Sequence, residues 1–253
     1  MKTLASVVAI SLGLAALTRP ACAADPTPIE KSIASPERTA ADRERDAREK
    51  PAEVMAFAGV KPGMVVADIF SAGGYYTELL AGVVGDTGKV LAINNMSYAN
   101  YAKDDMKARY TEGRLKNVER RLVEPSYMQI APQSVDLAIM VMAYHDVYWV
   151  SEKDGWPPIN TDAFVEGMKR MLKPGGKLLI IDHNAAPGTG KEMASKLHRL
   201  NEDWSKKSLT SHGFVFEKSY DGLRNKNDQL DKMVYDPAVK GKTDRYVDLY
   251  SVK

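Results

Sequence analysis

Between Lys61 and Ile181 the chain alternates short apolar runs with longer segments that carry apolar residues on one face. That alternation limits the fold more than any other feature. Met64 to Phe70, Lys89 to Ile93, Val135 to Met142 and Lys177 to Ile181 read as buried strands, with a weaker strand at Arg121 to Val123. After the first, Ser71-Ala72-Gly73-Gly74 makes a turn, and Tyr76, Leu79, Leu80 and Val83 open a helix that stops near Gly85. Tyr98 to Lys116 reads as a polar helix. Asp162 to Leu172 sets Phe164, Val165, Met168, Met171 and Leu172 on one helical face before the stop Lys173-Pro174-Gly175-Gly176. Strands separated by helices predict a doubly wound, mostly parallel α/β sheet with right-handed crossovers. Phe214 to Ser219 and Tyr246 to Val252 complete seven strands with an antiparallel edge. No internal repeat is visible.

The first residues are of a different kind. Lys2 precedes an uncharged apolar run from Leu4 to Leu17, followed by Arg19-Pro20 and the small-x-small site Ala21-Cys22-Ala23. The run is too short to cross about 30 Å of hydrocarbon comfortably, so residues 1–23 read as a cleaved signal peptide. The expected address is periplasmic or secreted, with no stable membrane anchor. Residues 24–38 read as a flexible leader, and 39–253 as one domain opening with a helical extension from Thr39 to Ala58, broken near Pro51. The composition, 44% apolar and 27% charged in 253 residues, excludes a disordered or collagen-like chain. Loss of Lys2 and Arg19 leaves 33 basic against 33 acidic residues, so no basic field calls for nucleic acid. Cleavage also removes the single cysteine, leaving carboxylates, histidines, hydroxyls and backbone to carry function.

The unit Val65-Val66-Ala67-Asp68-Ile69-Phe70-Ser71-Ala72-Gly73-Gly74-Tyr75-Tyr76-Thr77-Glu78 is the most informative stretch. Glycines let backbone approach a ligand, and the following helix N-terminus offers unpaired N–H groups; the unit also serves as a plain strand-to-helix turn. With the Gly88-Lys89-Val90 entry to the second strand and Leu172-Lys173-Pro174-Gly175-Gly176 before the fifth, the chain resembles class I S-adenosylmethionine-dependent methyltransferases from about Val54 onward. More narrowly, Tyr144-His145-Asp146, Asp182-His183, His198-Arg199-Leu200 and the run from Asp236 to Arg245 resemble an exported bacterial branch of predicted methyltransferases. The resemblance implies a methyl transfer from S-adenosyl-L-methionine to a small molecule. It assigns Asp68 to the acid closing the first strand, Ser71, Ala72, Gly73 and Gly74 to the methionine moiety, and Asn94 to the ribose. Met142 and Ala143 would line the pocket, and Glu124 is a poor match on the adenine side. Two glycines usual in the family are Phe70 and Ala72 here, and Asn94 replaces an acid, which removes two charge-assisted hydrogen bonds.

Tyr144-His145-Asp146 and Asp182-His183 end the fourth and fifth strands. In a doubly wound sheet these ends are neighbours, beside the crevice where ligands bind. His198 is expected on the next helix, with Tyr148, Trp149 and Trp156 as walls. Three readings stay open. His145 is a general base oriented by Asp146 or Asp182; the two His–Asp pairs hold a divalent metal; or Asp182 caps a helix and the histidines pack. The leading reading puts His145 and Asp146 at the acceptor and assigns no metal ligand. A non-catalytic binding protein and a metal-dependent enzyme are the rivals. His212 falls in a helix-to-strand turn. Arg224 or Arg245 either clamps an anionic substrate or pins the long loop before the last strand.

Overall fold

The computed structural model describes residues 25–111 and 113–253. The predicted signal, residues 1–23, lies outside the described residues. In chain order the elements are α1 (Pro28–Ile33), α2 (Ala40–Glu49), α3 (Pro51–Ala58), β1 (Val65–Ile69), α4 (Tyr75–Val84), β2 (Lys89–Asn94), α5 (Met96–Tyr101), α6 (Lys103–Arg109) and β3 (Val118–Leu122). There follow β4 (Val135–Val141), α7 (Thr161–Met171), β5 (Leu172–His183), α8 (Glu192–Leu197), α9 (Glu202–Ser211), β6 (Val215–Ser219) and β7 (Arg245–Ser251).

The strands form one sheet in the order β3-β2-β1-β4-β5-β7-β6. The first five run parallel, and β7 is antiparallel to both β5 and β6. The doubly wound expectation therefore holds, and the direction reverses at β7. One apolar layer packs Phe70, Phe164, Met168 and Tyr250 on one face of the sheet. The other packs Val54, Leu79, Leu80 and Val83. Because β1 and β4 are parallel neighbours, their C-terminal ends open onto the same edge of the sheet.

Three expectations are corrected. The segment expected to be a flexible leader holds α1, because Thr27 and Glu30 form a reciprocal capping box and Ser32 donates to the Leu79 carbonyl at 2.7 Å. Gly82 makes that approach possible, since a Cβ there would lie 2.5 Å from the Ser32 hydroxyl oxygen. The third strand lies at Val118–Leu122 rather than Arg121 to Val123, on an edge where Glu119, Arg120 and Arg121 leave no apolar signature. The single helix expected over Tyr98 to Lys116 is two short ones, α5 and α6, ending at Arg109. In addition, the Lys173-Pro174-Gly175-Gly176 stop is absorbed into β5 at an irregularity, where the pairing jumps from Val135–Leu172 to Leu137–Lys177. Among the described residues, no helix is long and apolar enough to cross a membrane.

Candidate functional site

The glycine turn leaves β1 in a strained path. Phe70 and Ala72 hold φ of 54° and 47°, and Gly74 holds 81°, so two non-glycine residues sit in the left-handed region. Asp68 is buried and accepts the Thr77 hydroxyl at 2.6 Å. Burial, only partly offset by that hydrogen bond and by Arg45, pushes its carboxyl up to about 7. Asn94 closes on the turn: its Oδ1 accepts the Ala72 N–H at 3.0 Å, and its Nδ2 donates to Ser71 Oγ and the Ala72 carbonyl at 3.2 and 3.3 Å. The structure thus brings Ser71, Ala72 and Asn94 together as expected, with the Asn94 amide spent on the turn itself.

The turn is also covered. A Cβ on Gly73 would meet Asp105 Cβ at 2.6 Å, and one on Gly74 would run into the Tyr110 hydroxyl. Arg109 donates from Nε to the Gly73 carbonyl at 2.6 Å while pairing with Asp42 and Glu78. Phe70, buried in the core, stacks between Tyr98 and Phe164 with ring centroids 4.7 and 5.3 Å away. The residue set suits the cofactor in kind: a buried acid, glycines without Cβ and a ribose-side amide. In this conformation Arg109 of α6 and the Asn94 amide already hydrogen-bond the backbone of the turn. Cavities of 690, 570 and 250 Å³ are lined by other parts of the chain. Met142, at φ 52°, puts its sulfur 3.9 Å from the Arg245 guanidinium, and Glu124 is exposed.

At the ends of β4 and β5 the histidines and aspartates meet. Asp182, fully buried, accepts the His145 N–H and Nδ1–H, both at 2.7 Å, and the His183 N–H at 2.8 Å. It caps no helix. It sets the His145 tautomer, leaving Nε2 toward Asp146 Oδ1 at 3.2 Å. The other Asp146 oxygen accepts the Tyr98 hydroxyl at 2.6 Å. His198 Nδ1 lies 3.4 Å from Asp146 Oδ1, and neither of those two atoms makes a hydrogen bond although both are buried. His198 sits at φ 52° as the residue ending α8, a conformation that turns its ring into the cluster.

Burial alone would lower the His145 pKa; the Asp146 and Asp182 charges override it and push the imidazole up to about 10. Burial likewise opposes ionisation of Asp146, and contacts with His145, His198 and Tyr98 hold its carboxyl well below the usual range. To act as a base at neutral pH, His145 must first give up its extra proton. Burial, with His145 and Arg245 nearby, lowers His183, whose Nδ1 pairs with Thr243 Oγ1 at 2.7 Å.

Trp156 stands behind, 5.1 Å from both Trp149 and Tyr98, whereas Trp149 walls the cluster, 4.7 Å from the His198 ring. Tyr148 does not, since it turns to Tyr144, Ser208 and Trp204. Arg224 pairs with Glu202 and Asp244, and Arg245 with Glu49, so both pin elements rather than face the site. His212 does end a helix before a strand, 3.2 Å from Asp162. Sequence reasoning missed Tyr98, Arg109 and Tyr110, the residues that shape the site from α5 and α6. The only local hint was Asn95, whose side chain caps α5 and thereby aims Tyr98.

No family model matches the chain. It is 26% identical over 165 residues to the ubiquinone/menaquinone biosynthesis C-methyltransferase UbiE of Shewanella pealeana, covering 65% of this chain and 58% of that protein. With the same enzyme of Teredinibacter turnerae it shares 28% over 144 residues, 56% of this chain and 52% of the relative. The chain thus spans a little over half the length of these curated relatives. Among solved structures, a SAM-dependent methyltransferase from Aquifex aeolicus superposes with TM-score 0.58 at 23% identity, over 83% of this chain and 93% of that one. The geranyl diphosphate C-methyltransferase of Streptomyces coelicolor, solved with S-adenosyl-L-homocysteine, gives 0.55 at 11%, over 88% and 84%. Strand order, the reversed β7 and these likenesses agree: the chain has the fold of the class I S-adenosylmethionine-dependent methyltransferases.

Proposed function

We propose that the protein is an S-adenosylmethionine-dependent methyltransferase acting on a small molecule. The observation that carries this reading is the turn at the end of β1, where buried Asp68, the backbone of Ser71 to Gly74 and Asn94 converge on the N-terminus of the ten-residue helix α4. The relatives, C-methyltransferases in ubiquinone and menaquinone biosynthesis, support the reaction class. Asp68, Ser71, Ala72, Gly73, Gly74 and Asn94 would hold the cofactor, whose sulfonium supplies an electrophilic methyl group. The chain's own part is positioning. His145 and Asp146 stand at the acceptor end, tied to the cofactor side through Tyr98, which stacks on Phe70 and donates to Asp146. Met142 contributes at the rim. The leading segment, residues 1–23, is proposed to export the chain to the periplasm or beyond; the N-terminal residue of protein recovered outside the cytoplasm checks that part.

Calorimetric titration with S-adenosylmethionine and S-adenosylhomocysteine tests the function, with Asp68→Ala as comparison. Saturable heat lost in the variant supports the site. Folded wild-type protein that gives neither heat nor a thermal shift at millimolar ligand leaves the second reading, a binding protein that retains the fold. The packing of Asp105, Arg109 and Tyr110 on the glycines favours that alternative.

A further inference from the structure

We infer that His145 Nε2, Asp146 Oδ1 and His198 Nδ1 form a binding site for one divalent zinc ion, with a fourth position left open. The three atoms lie within 4.8 Å of one another, and all three residues are buried. Both separations from Asp146 Oδ1, 3.2 Å to His145 and 3.4 Å to His198, match the spacing of a tetrahedral ion's ligands. Bonds of about 2.0–2.1 Å place such ligands roughly 3.3 Å apart, whereas neighbouring ligands of a six-coordinate ion with the same bonds fall near ~2.9 Å.

A second, independent observation points the same way. Asp146 Oδ1 and His198 Nδ1 are buried polar atoms without a hydrogen bond, and they face each other. Buried polar groups are ordinarily paired, so two orphans aimed at one point mark a place where something else satisfies them. Every other polar contact of the three residues is of the supporting kind. Asp182 holds His145 Nδ1, the carboxylate–imidazole arrangement that orients metal-bound histidines, and Tyr98 holds the second oxygen of Asp146. Among the described residues, Asp146 and Asp182 have no lysine or arginine partner, so their ion-pair partners there are imidazoles alone. Trp149 and Tyr235 pack on the His198 ring, and Tyr235, half exposed, stands on the solvent side.

The site differs from the two His–Asp pairs suggested by sequence. His183 points to Thr243 and Asp182 stands behind His145, while His198 arrives from α8. An ion here would offer a Lewis acid and one open position to an oxygen, nitrogen or sulfur atom of a small ligand. Its binding requires no methyl donor, so it stands or falls apart from the proposed transfer.

The full chain, stripped with chelator, is titrated with Zn²⁺ alone and separately loaded with Co²⁺. One ion per chain, a rise in thermal midpoint reversed by chelator, and the intense visible bands of four-coordinate cobalt are expected. His198→Ala should lose uptake, Asp182→Asn should weaken it about 10–100-fold by loosening His145, and His212→Ala should bind as wild type. Should His198→Ala not fold, the wild-type cobalt spectrum and metal content decide. Folded wild-type protein that takes up no Zn²⁺, unchanged affinity in folded His198→Ala, or a weak six-coordinate cobalt spectrum would overturn the assignment.

Discussion

The C-terminal edge of the sheet carries two polar regions built on opposite plans. At the ends of β1 and β2 the chain satisfies itself: Asn94 spends its amide on Ser71 and Ala72, Arg109 bridges the Gly73 carbonyl to Asp42 and Glu78, and Asp68 takes the Thr77 hydroxyl. Among the described residues of this region, only the Tyr110 hydroxyl is left over. At the ends of β4 and β5 the opposite holds, since the neighbours His145 and Asp146 after β4 meet His198 from the end of α8, and the two atoms facing each other are unpaired. The contrast teaches that resemblance and readiness are different properties. The region that looks most like a ligand site by sequence is closed over its own glycines. The histidine region, outside the glycine turn, presents the unpaired groups poised for a ligand.

The largest effect expected in breaking this comparison is at Asp68. Its folded carboxyl is pushed up to about 7, above the ordinary carboxylate value, so the folded protein holds the proton more tightly than the unfolded chain. The stability this confers is complete below about pH 4 and is lost as pH rises toward 7. Asp68→Asn should remove that loss, so the variant gains on wild type across the window, by about 4 kcal/mol at the upper end. Urea unfolding of both proteins at pH 4.5 and pH 8 measures the gap; a gap that does not widen with pH would mean Asp68 is charged in the folded state.

Next in size is Gly73→Ala. If the glycines serve α6 packing, the added methyl group displaces Asp105 and costs about 1–3 kcal/mol without any ligand present. Unchanged stability would show that α6 moves aside freely, and the cradle would then count as open.

The smallest effect sharpens the other side. His198→Gly relieves a left-handed backbone, which offsets the lost ring contacts, so the metal-free variant should stay within about 1 kcal/mol of wild type while failing to bind Zn²⁺. A loss of several kcal/mol in thermal or urea unfolding would instead make the ring a packing element against Trp149.

Local pattern carried the architecture because each element here is written in its own residues. Val65 to Ile69 and Val135 to Val141 are continuous apolar runs, as buried parallel strands must be, and α7 shows its apolar face plainly. The same logic failed at β3, whose Glu119, Arg120 and Arg121 lie on a solvated edge. α1 is marked in its own residues too: Thr27 and Glu30 stand at capping-box spacing within a stretch rich in proline and alanine.

Sequence alone therefore determined the doubly wound sheet, the turn after β1 and the meeting of His145 with Asp182, since strand order places those ends side by side. It could not determine that α6 lies on Gly73 and Gly74, that Asn94 turns inward, or that His198 rather than His183 completes the cluster. Those contacts join residues from 12 to 52 positions apart, through side-chain directions set by packing and by a left-handed residue at the end of α8. Periodicity reports which face of an element is buried; only the assembled fold decides what that face meets.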